Sequence, residues 1–216
     1  MSSDKFHPLR IVNVVLTAKL GVPYSSDSTD DHENPNDTMT HAFDLAKIAM
    51  VVKNASVEYF PRKFAALKLC RPEPFSKALF FRSGKIVCVG NRSERGGREA
   101  IEWFCRQIAE AATIHNAKII DISVQNIVAT TMLIDPNTKF RLERASQLFS
   151  KNTQYEPELF PGCAFRFGDS WKQVVNVFTS GKMVLTGVKN TQQLRKLAEL
   201  FFELIGPESR DLFKTV

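Results

Sequence analysis

The 216-residue chain lacks any apolar run near the ~20 residues that cross a bilayer as a helix, and its opening MSSDKFHPLR holds no apolar signal core. The expectation is retention in cytosol or nucleus, with no membrane partner. Cysteine is scarce. Cys70, Cys88, Cys105 and Cys163 show no CxxC spacing, and His7, His32, His41 and His115 are scattered. That pattern excludes a zinc framework and reads as free thiols in a reducing compartment. Ten glycines and ten prolines are too few for a fibrous chain. A Gly-rich phosphate loop is missing, because Glu94-Arg95-Gly96-Gly97-Arg98 reads as a turn entering a helix. No motif pairs an acid with a base, or a nucleophile with its activator. The expectation is therefore no enzyme, no metal and no cofactor.

What is present is an ordinary globular composition, 44% hydrophobic and 24% charged. A chain this long is one domain or two small ones, and it buries roughly 70% of its unfolded surface. Its net charge is +6. Residues 24–42 hold Asp27, Asp30, Asp31, Glu33 and Asp37 and no Lys or Arg, so the remainder carries +11. A body that basic attracts polyanions, nucleic acid first among them.

The sequence repeats itself. FRSGKIVCVG (81–90) and FTSGKMVLTG (178–187) agree at six of ten positions, 97 residues apart. Phe64 and Phe160 each follow a Pro-containing turn, 96 apart, while the strand-like stretches around Asn13 and Asn126 are 113 apart. The difference of 17 residues is about the length of the acidic tract. Two halves of one plan result, residues 10–115 and 116–206, with a polar loop insertion at about 24–42 in the first and short tails at 1–9 and 207–216. Each half opens with a β-branched strand (10–18; 119–130) and a short helix (43–53; 141–151). Three or four strands follow, including a Ser-Gly-Lys hairpin turn. Each half closes with an amphipathic helix (99–112; 192–205). The apolar stripes are Ile101, Phe104, Cys105, Ile108 and Ala112, then Leu194, Leu197, Leu200 and Phe201. Helices on one face of an antiparallel sheet make an α+β fold and leave the other sheet face open.

Alternation groups Ile11, Asn13, Val15 and Thr17 on one face, and Val124, Asn126 and Val128 on another. It also groups Lys77, Leu79 and Phe81; Val174, Asn176 and Phe178; Lys85, Val87 and Val89; and Lys182, Val184 and Thr186. Alternation alone leaves open which set lies under helices. Two features favour the open face for these sets. Each half has a Phe pair, Phe64 with Phe81 and Phe160 with Phe178, and each has one Asn amid Val, a residue disfavoured in a core unless hydrogen-bonded.

Asn-Val-Val in the first strand, Tyr-Glu-Pro-Glu-Leu-Phe-Pro-Gly (155–162), Phe-x-Ser-Gly-Lys twice and Thr-Gly-x-Lys (186–189) resemble the TATA-box-binding protein family, from about Arg10 to Ile205. The resemblance implies a pseudo-twofold saddle: a continuous antiparallel ten-stranded sheet with four helices on its convex face. It implies a transcription initiation factor of the nucleus that binds double-stranded promoter DNA in the minor groove. In the family, apolar wedges kink that DNA by about 80°, a magnitude taken from the family itself. Phe64, Phe81, Phe160 and Phe178 match the wedges. Asn13, Val15, Leu79, Val87, Val89, Asn126, Val128, Val174, Asn176, Val184 and Thr186 match the floor that meets base edges. Lys63, Lys85, Arg92, Arg166, Lys182 and Lys189, helped by Ser83 and Ser180, match phosphate contacts. Glu156, Glu158 and Leu159 match the stirrup that meets transcription factor IIB. The Glu58–Pro61 turn matches less completely the stirrup that meets transcription factor IIA. TATA-binding-protein-associated factors are further implied partners. The exposed apolar face implies a homodimer when DNA is absent.

Four positions depart from the family. Val89 stands for a usual Thr, which Thr186 keeps. Asn176 stands for a usual Leu and could accept from a guanine amino group. Lys77 replaces a small polar residue, and Cys70 an Arg. These imply DNA binding with relaxed TATA selectivity. The alternative is a family-like protein-interaction module that has lost DNA binding. Glu99, Glu102 and Glu110 dilute the basic first long helix, leaving its partners open.

Overall fold

The computed structural model describes residues 6–23, 38–39, 42–135, 137–168 and 170–215. The chain divides into two compact units, a first spanning Val14–Gln125 and a second made of Met1–Asn13 with Asn126–Val216. Most of the acidic tract lies outside the described residues.

In chain order the elements are β1 (Arg10–Pro23), β2 (Thr38–Met39), α1 (Leu45–Val51), β3 (Ser56–Glu58), β4 (Leu67–Arg71), β5 (Ser76–Phe80), β6 (Lys85–Asn91) and α2 (Glu94–Ala112). Then come β7 (Lys118–Thr131), β8 (Thr138–Phe140), α3 (Leu142–Leu148), β9 (Thr153–Gln154), β10 (Cys163–Phe167), β11 (Gln173–Val177), β12 (Met183–Val188), α4 (Thr191–Ile205), α5 (Ser209–Leu212) and β13 (Phe213–Thr215). The first unit's sheet runs β3-β4-β5-β6-β1, antiparallel at every pairing. The second unit's runs β9-β10-β11-β12-β7, again antiparallel. The α+β class and the repeated plan are both present.

Alternation decides the faces. In β6, Ile86 and Cys88 are fully buried while Lys85, Val87 and Val89 are not; in β12, Met183 and Leu185 are buried while Val184 and Thr186 are half-exposed. The buried sides carry the helices. α2 packs on β5 and β6 through Ala100, Ile101, Phe104, Cys105 and Ile108. α4 packs on β11 and β12 through Leu194, Leu197, Ala198, Phe201 and Ile205. The Phe201 and Phe165 rings meet edge to face at 5.1 Å, as do Phe43 and Phe80 at 5.0 Å. Each large apolar side chain so buried contributes about 1.5–3 kcal/mol, so packing outweighs the ~1 kcal/mol of a cap. The caps nevertheless repeat: Ser93 Oγ accepts from Gly96 N at 3.0 Å, and Asn190 Oδ1 accepts from Gln193 N at 2.8 Å.

Several boundaries differ from expectation. Ser93 caps α2, so Glu94–Arg98 is the helix's first turn rather than a turn before it. Gly97 belongs there because a Cβ would overlap buried Leu16. Ala111, not Ala112, completes the buried stripe of α2, and Leu200 is only half-buried in α4. β1 runs on to Pro23 and pairs there with β2, so the end of the acidic tract is strand. At the other end of the chain, Phe213 of β13 pairs with Phe140 of β8, and their rings meet at 5.3 Å. Phe6 is buried against Phe202, ring centroids 4.9 Å apart.

The β12–β7 register shifts between Leu185 and Val188, and the β6–β1 register between Val14 and Leu16. Gly187 (φ +85°) and Gly90 (φ +90°) sit at these bulges. A Cβ on Gly187 would overlap the Lys172 carbonyl, which is backbone; on Gly90 it would meet the Phe75 ring at 3.1 Å. Backbone cannot yield as a side chain can. Gly187→Ala is therefore expected to cost about 3 kcal/mol, and Gly90→Ala clearly less, measured as loss of thermal and urea stability. Equal costs would mean the bulge contact is not as described.

Candidate nucleic-acid interface

On the helix-free face of the first unit, cross-strand register aligns Lys68, Leu79, Val87 and Thr17 in one rung. It aligns Cys70, Lys77 and Val89 in the next. The second unit repeats this with Ala164, Asn176, Val184 and Thr130, then Arg166, Val174 and Thr186. All of these side chains are half- or fully exposed, whereas the residues between them in β5, β6, β11 and β12 are buried. Val15 and Val128 are half-exposed too. The resulting surfaces are mostly apolar and uncovered.

The four phenylalanines lie off the helical layer. Phe64 is 41% and Phe160 42% exposed, with Phe81 and Phe178 half-buried beneath them. Ring centroids are 6.3 Å apart in the Phe64–Phe81 pair and 5.6 Å in the Phe160–Phe178 pair, both edge to face. The same turn presents each outer ring: Phe64 N donates to Phe60 O, and Phe160 N to Glu156 O, both at 2.9 Å. Beside the second pair, Gly162 has no room for a Cβ, which would lie 2.8 Å from the Phe160 ring.

Asn126 and Asn13 belong to the same compact unit and are half-exposed. Asn126 also has a structural task. Its Oδ1 accepts from Gly187 N at 2.9 Å, and its Nδ2 donates to Thr186 Oγ1 at 3.0 Å. The amide thus braces the bulge, and one N–H of Nδ2 remains beyond the Thr186 bond.

Lys63, Lys85, Arg92, Lys182, Lys189, Ser83 and Ser180 are exposed. Arg166 is held by Gln154 Oε1 at 3.1 Å and by Trp171 O. Lys77 is exposed and lies 5.6 Å from the centroid of the Phe75 ring. Cys70 and Lys77 are cross-strand partners, as are Arg166 and Val174. Each half therefore keeps one cation on this rung, on opposite strands. Of the stirrup residues, Glu156 accepts from Gln154 Nε2 at 3.1 Å, and Leu159 is 80% exposed. In the first unit's turn, Glu58 pairs with Lys68 at 3.6 Å and Phe60 is 61% exposed.

Sequence reasoning missed the cross-strand placement of Lys77 beside Cys70, exposed Phe75 and Trp171, and a polar cluster in the first unit. There Gln125 Nε2 donates to Thr17 Oγ1 at 2.8 Å and Ser123 Oγ at 2.7 Å. The cross-strand partner of Lys77 was the missing signal; alternation within one strand cannot supply it. Burial pushes the Cys105 and Cys163 thiols up to about 12, so both stay protonated at neutral pH. Among the described residues, no three His, Cys, Asp or Glu side chains gather as metal ligands.

The model of the family "Transcription factor TFIID (or TATA-binding protein, TBP)" matches residues 36–111 and 121–206. The chain belongs to the TATA-binding protein family. It is 40% identical over 164 residues to the TATA-box-binding protein of Archaeoglobus fulgidus, covering 74% of this chain and 84% of that one. To the TATA-box-binding protein of Artemia franciscana it is 37% identical over 162 residues, 75% of this chain but 56% of that longer relative. The solved structure titled Methanococcus jannaschii TBP superposes with a TM-score of 0.69 at 31% identity, covering 93% of this chain and 99% of that one. The two matched stretches coincide with the duplicated plan.

Replacing Asn126 by Ala leaves the Gly187 N–H without its side-chain acceptor. The expected loss is about 1–2 kcal/mol of stability, seen as a lower melting temperature with no DNA present. An unchanged melting temperature would show that Asn126 is not a brace.

Proposed function

We infer that this chain is a nuclear transcription initiation factor that binds promoter DNA in the minor groove. It kinks the duplex with Phe64–Phe81 and Phe160–Phe178 and offers the bound complex to further factors. The observation that carries this reading is the matched pair of half-exposed Phe couples, each beside an uncovered apolar sheet face rimmed by cations. Partly exposed rings are costly to leave in water and are suited to entering a base step. The A·T minor groove presents acceptors alone, which the Val floor tolerates, and Asn13 and Asn126 would donate to them. Exposed cations, with Ser83 and Ser180, supply salt-dependent affinity without choosing sequence. Val89 brings no hydroxyl donor where Thr186 does, and with Asn176, Lys77 and Cys70 this favours relaxed TATA selectivity. Residues 10–115 and 116–206 serve as the two functional halves. The stirrup around Glu156, Glu158 and Leu159 is proposed to take a factor equivalent to transcription factor IIB, and the Glu58–Pro61 turn one equivalent to IIA.

The wedges are tested with Phe160→Ala combined with Phe178→Ala. Lost burial of two rings, about 1.5–3 kcal/mol each, predicts roughly a hundredfold or greater loss of affinity, with loss of bending in a circular-permutation gel assay. A double variant that binds and bends like the parent removes this reading and leaves the interaction-module alternative.

Lys77, whose charge is proposed to lie near the DNA backbone, has its own test. Lys77→Ala is expected to lower the slope of log affinity against log salt by about 0.9, and adding Cys70→Arg to restore it. An unchanged slope would mean that Lys77 faces solvent in the complex.

A further inference from the structure

We propose that the interface reads its duplex in one direction: the second unit accepts a G·C pair at Asn176, while the first refuses one at Leu79. The inference rests on the minor-groove reading above and names the ligand more narrowly, as an A·T tract interrupted by G·C towards one end only.

Leu79 and Asn176 hold the same place in their units, each between a β4-type and a β6-type neighbour. Leu79 lies between Lys68 and Val87, and Asn176 between Ala164 and Val184. The two rungs have opposite chemistry. In the first unit, Lys68 is held by Glu58 at 3.6 Å and lies 5.7 Å from the Phe64 ring centroid, so a long side chain stands beside an apolar one. In the second, the neighbour is Ala164, which leaves space beside the amide.

Asn176 is half-buried on the open face, and among the described residues its side chain makes no hydrogen bond. Asn126, in contrast, is bonded to Thr186 and Gly187. An amide set among Val174, Val184 and Ala164 with no protein partner is unfavourable unless a ligand or water satisfies it. The guanine amino group is the feature that distinguishes G·C from A·T in the minor groove, and it is a donor. Asn176 Oδ1 is an acceptor for it, and Nδ2 a donor for the neighbouring N3 or O2. Leu79 offers neither and would bury the amino group unpaired. Asn176 precedes Phe178 by two residues, about 6.8 Å along the strand. The accepted pair therefore lies just inside the step entered by Phe160 and Phe178.

The test scans single G·C pairs through an A·T duplex, with affinity measured at fixed salt. One G·C pair near either end is expected to cost less than threefold, because the protein turns to place it under Asn176. A pair near both ends is expected to cost tenfold or more, because one must meet Leu79. Replacing guanine by hypoxanthine, which lacks the amino group, should erase that penalty without altering the protein. Asn176→Leu should make a single G·C pair cost tenfold relative to that variant's own affinity for the all-A·T duplex. Leu79→Asn should rescue the doubly substituted duplex. Equal tolerance of one and two G·C pairs, or a tenfold penalty for one alone in the parent, overturns the directional reading while all-A·T binding keeps the minor-groove reading. Failure to bind any of the duplexes overturns both.

Discussion

Every strand divides its side chains between two faces, and in each unit of this chain helices cover only one. That single constraint governs the rest. The covered face is packed to near-zero exposure by α2 or α4, and there the large residues are Phe80, Phe104, Phe165 and Phe201. The uncovered face cannot be polar throughout if it is to displace water from a groove floor. Nor can its strands be edited freely, because a one-residue slip would exchange the two faces. The bulges at Gly90 and Gly187 and the Asn126 brace fix that register where β6 and β12 leave the sheet for their helices.

Duplication then sets what the two halves share and where they have diverged. Shared features are backbone and packing: the Ser-Gly-Lys turns, the caps at Ser93 and Asn190, the bulge glycines and the Phe pairs. Divergence touches the core as well, where buried Ile86 and Cys88 answer to Met183 and Leu185, but on the uncovered rungs a substitution costs the core nothing. Cys70–Lys77 against Arg166–Val174 moves a cation by one strand, roughly 4.8 Å. Leu79 against Asn176 changes apolar to amide. A fold that holds its backbone so firmly can vary its uncovered surface residue by residue.

Much of this was legible in the sequence. Alternation in β5, β6, β11 and β12 is strict, so the open-face sets could be written down once the repeat offset was known, and the Phe pairs followed from equivalence. Other features were hidden for definite reasons. The start of α2 is masked by two glycines, of which Gly97 answers to Leu16 across space rather than to helix propensity. The second role of Asn126 depends on a bulge, which breaks the period that sequence reasoning relies on. The pairing of Cys70 with Lys77 depends on cross-strand register. Burial of Phe6 depends on Phe202, almost the whole chain away. For Gly97, Asn126 and Phe6 the deciding partner is distant in sequence; for Cys70 it is near, and only the hairpin register names it.

The claim most worth testing is that the helix-free sheet faces meet the duplex. Methyl NMR with a soluble paramagnetic probe measures it directly. Val15, Val87, Val128 and Val184 should lose probe access and shift when an A·T duplex is added, while Ile101 and Leu194 under the helices stay unchanged. Continued probe access at those valines in saturating duplex would contradict the account.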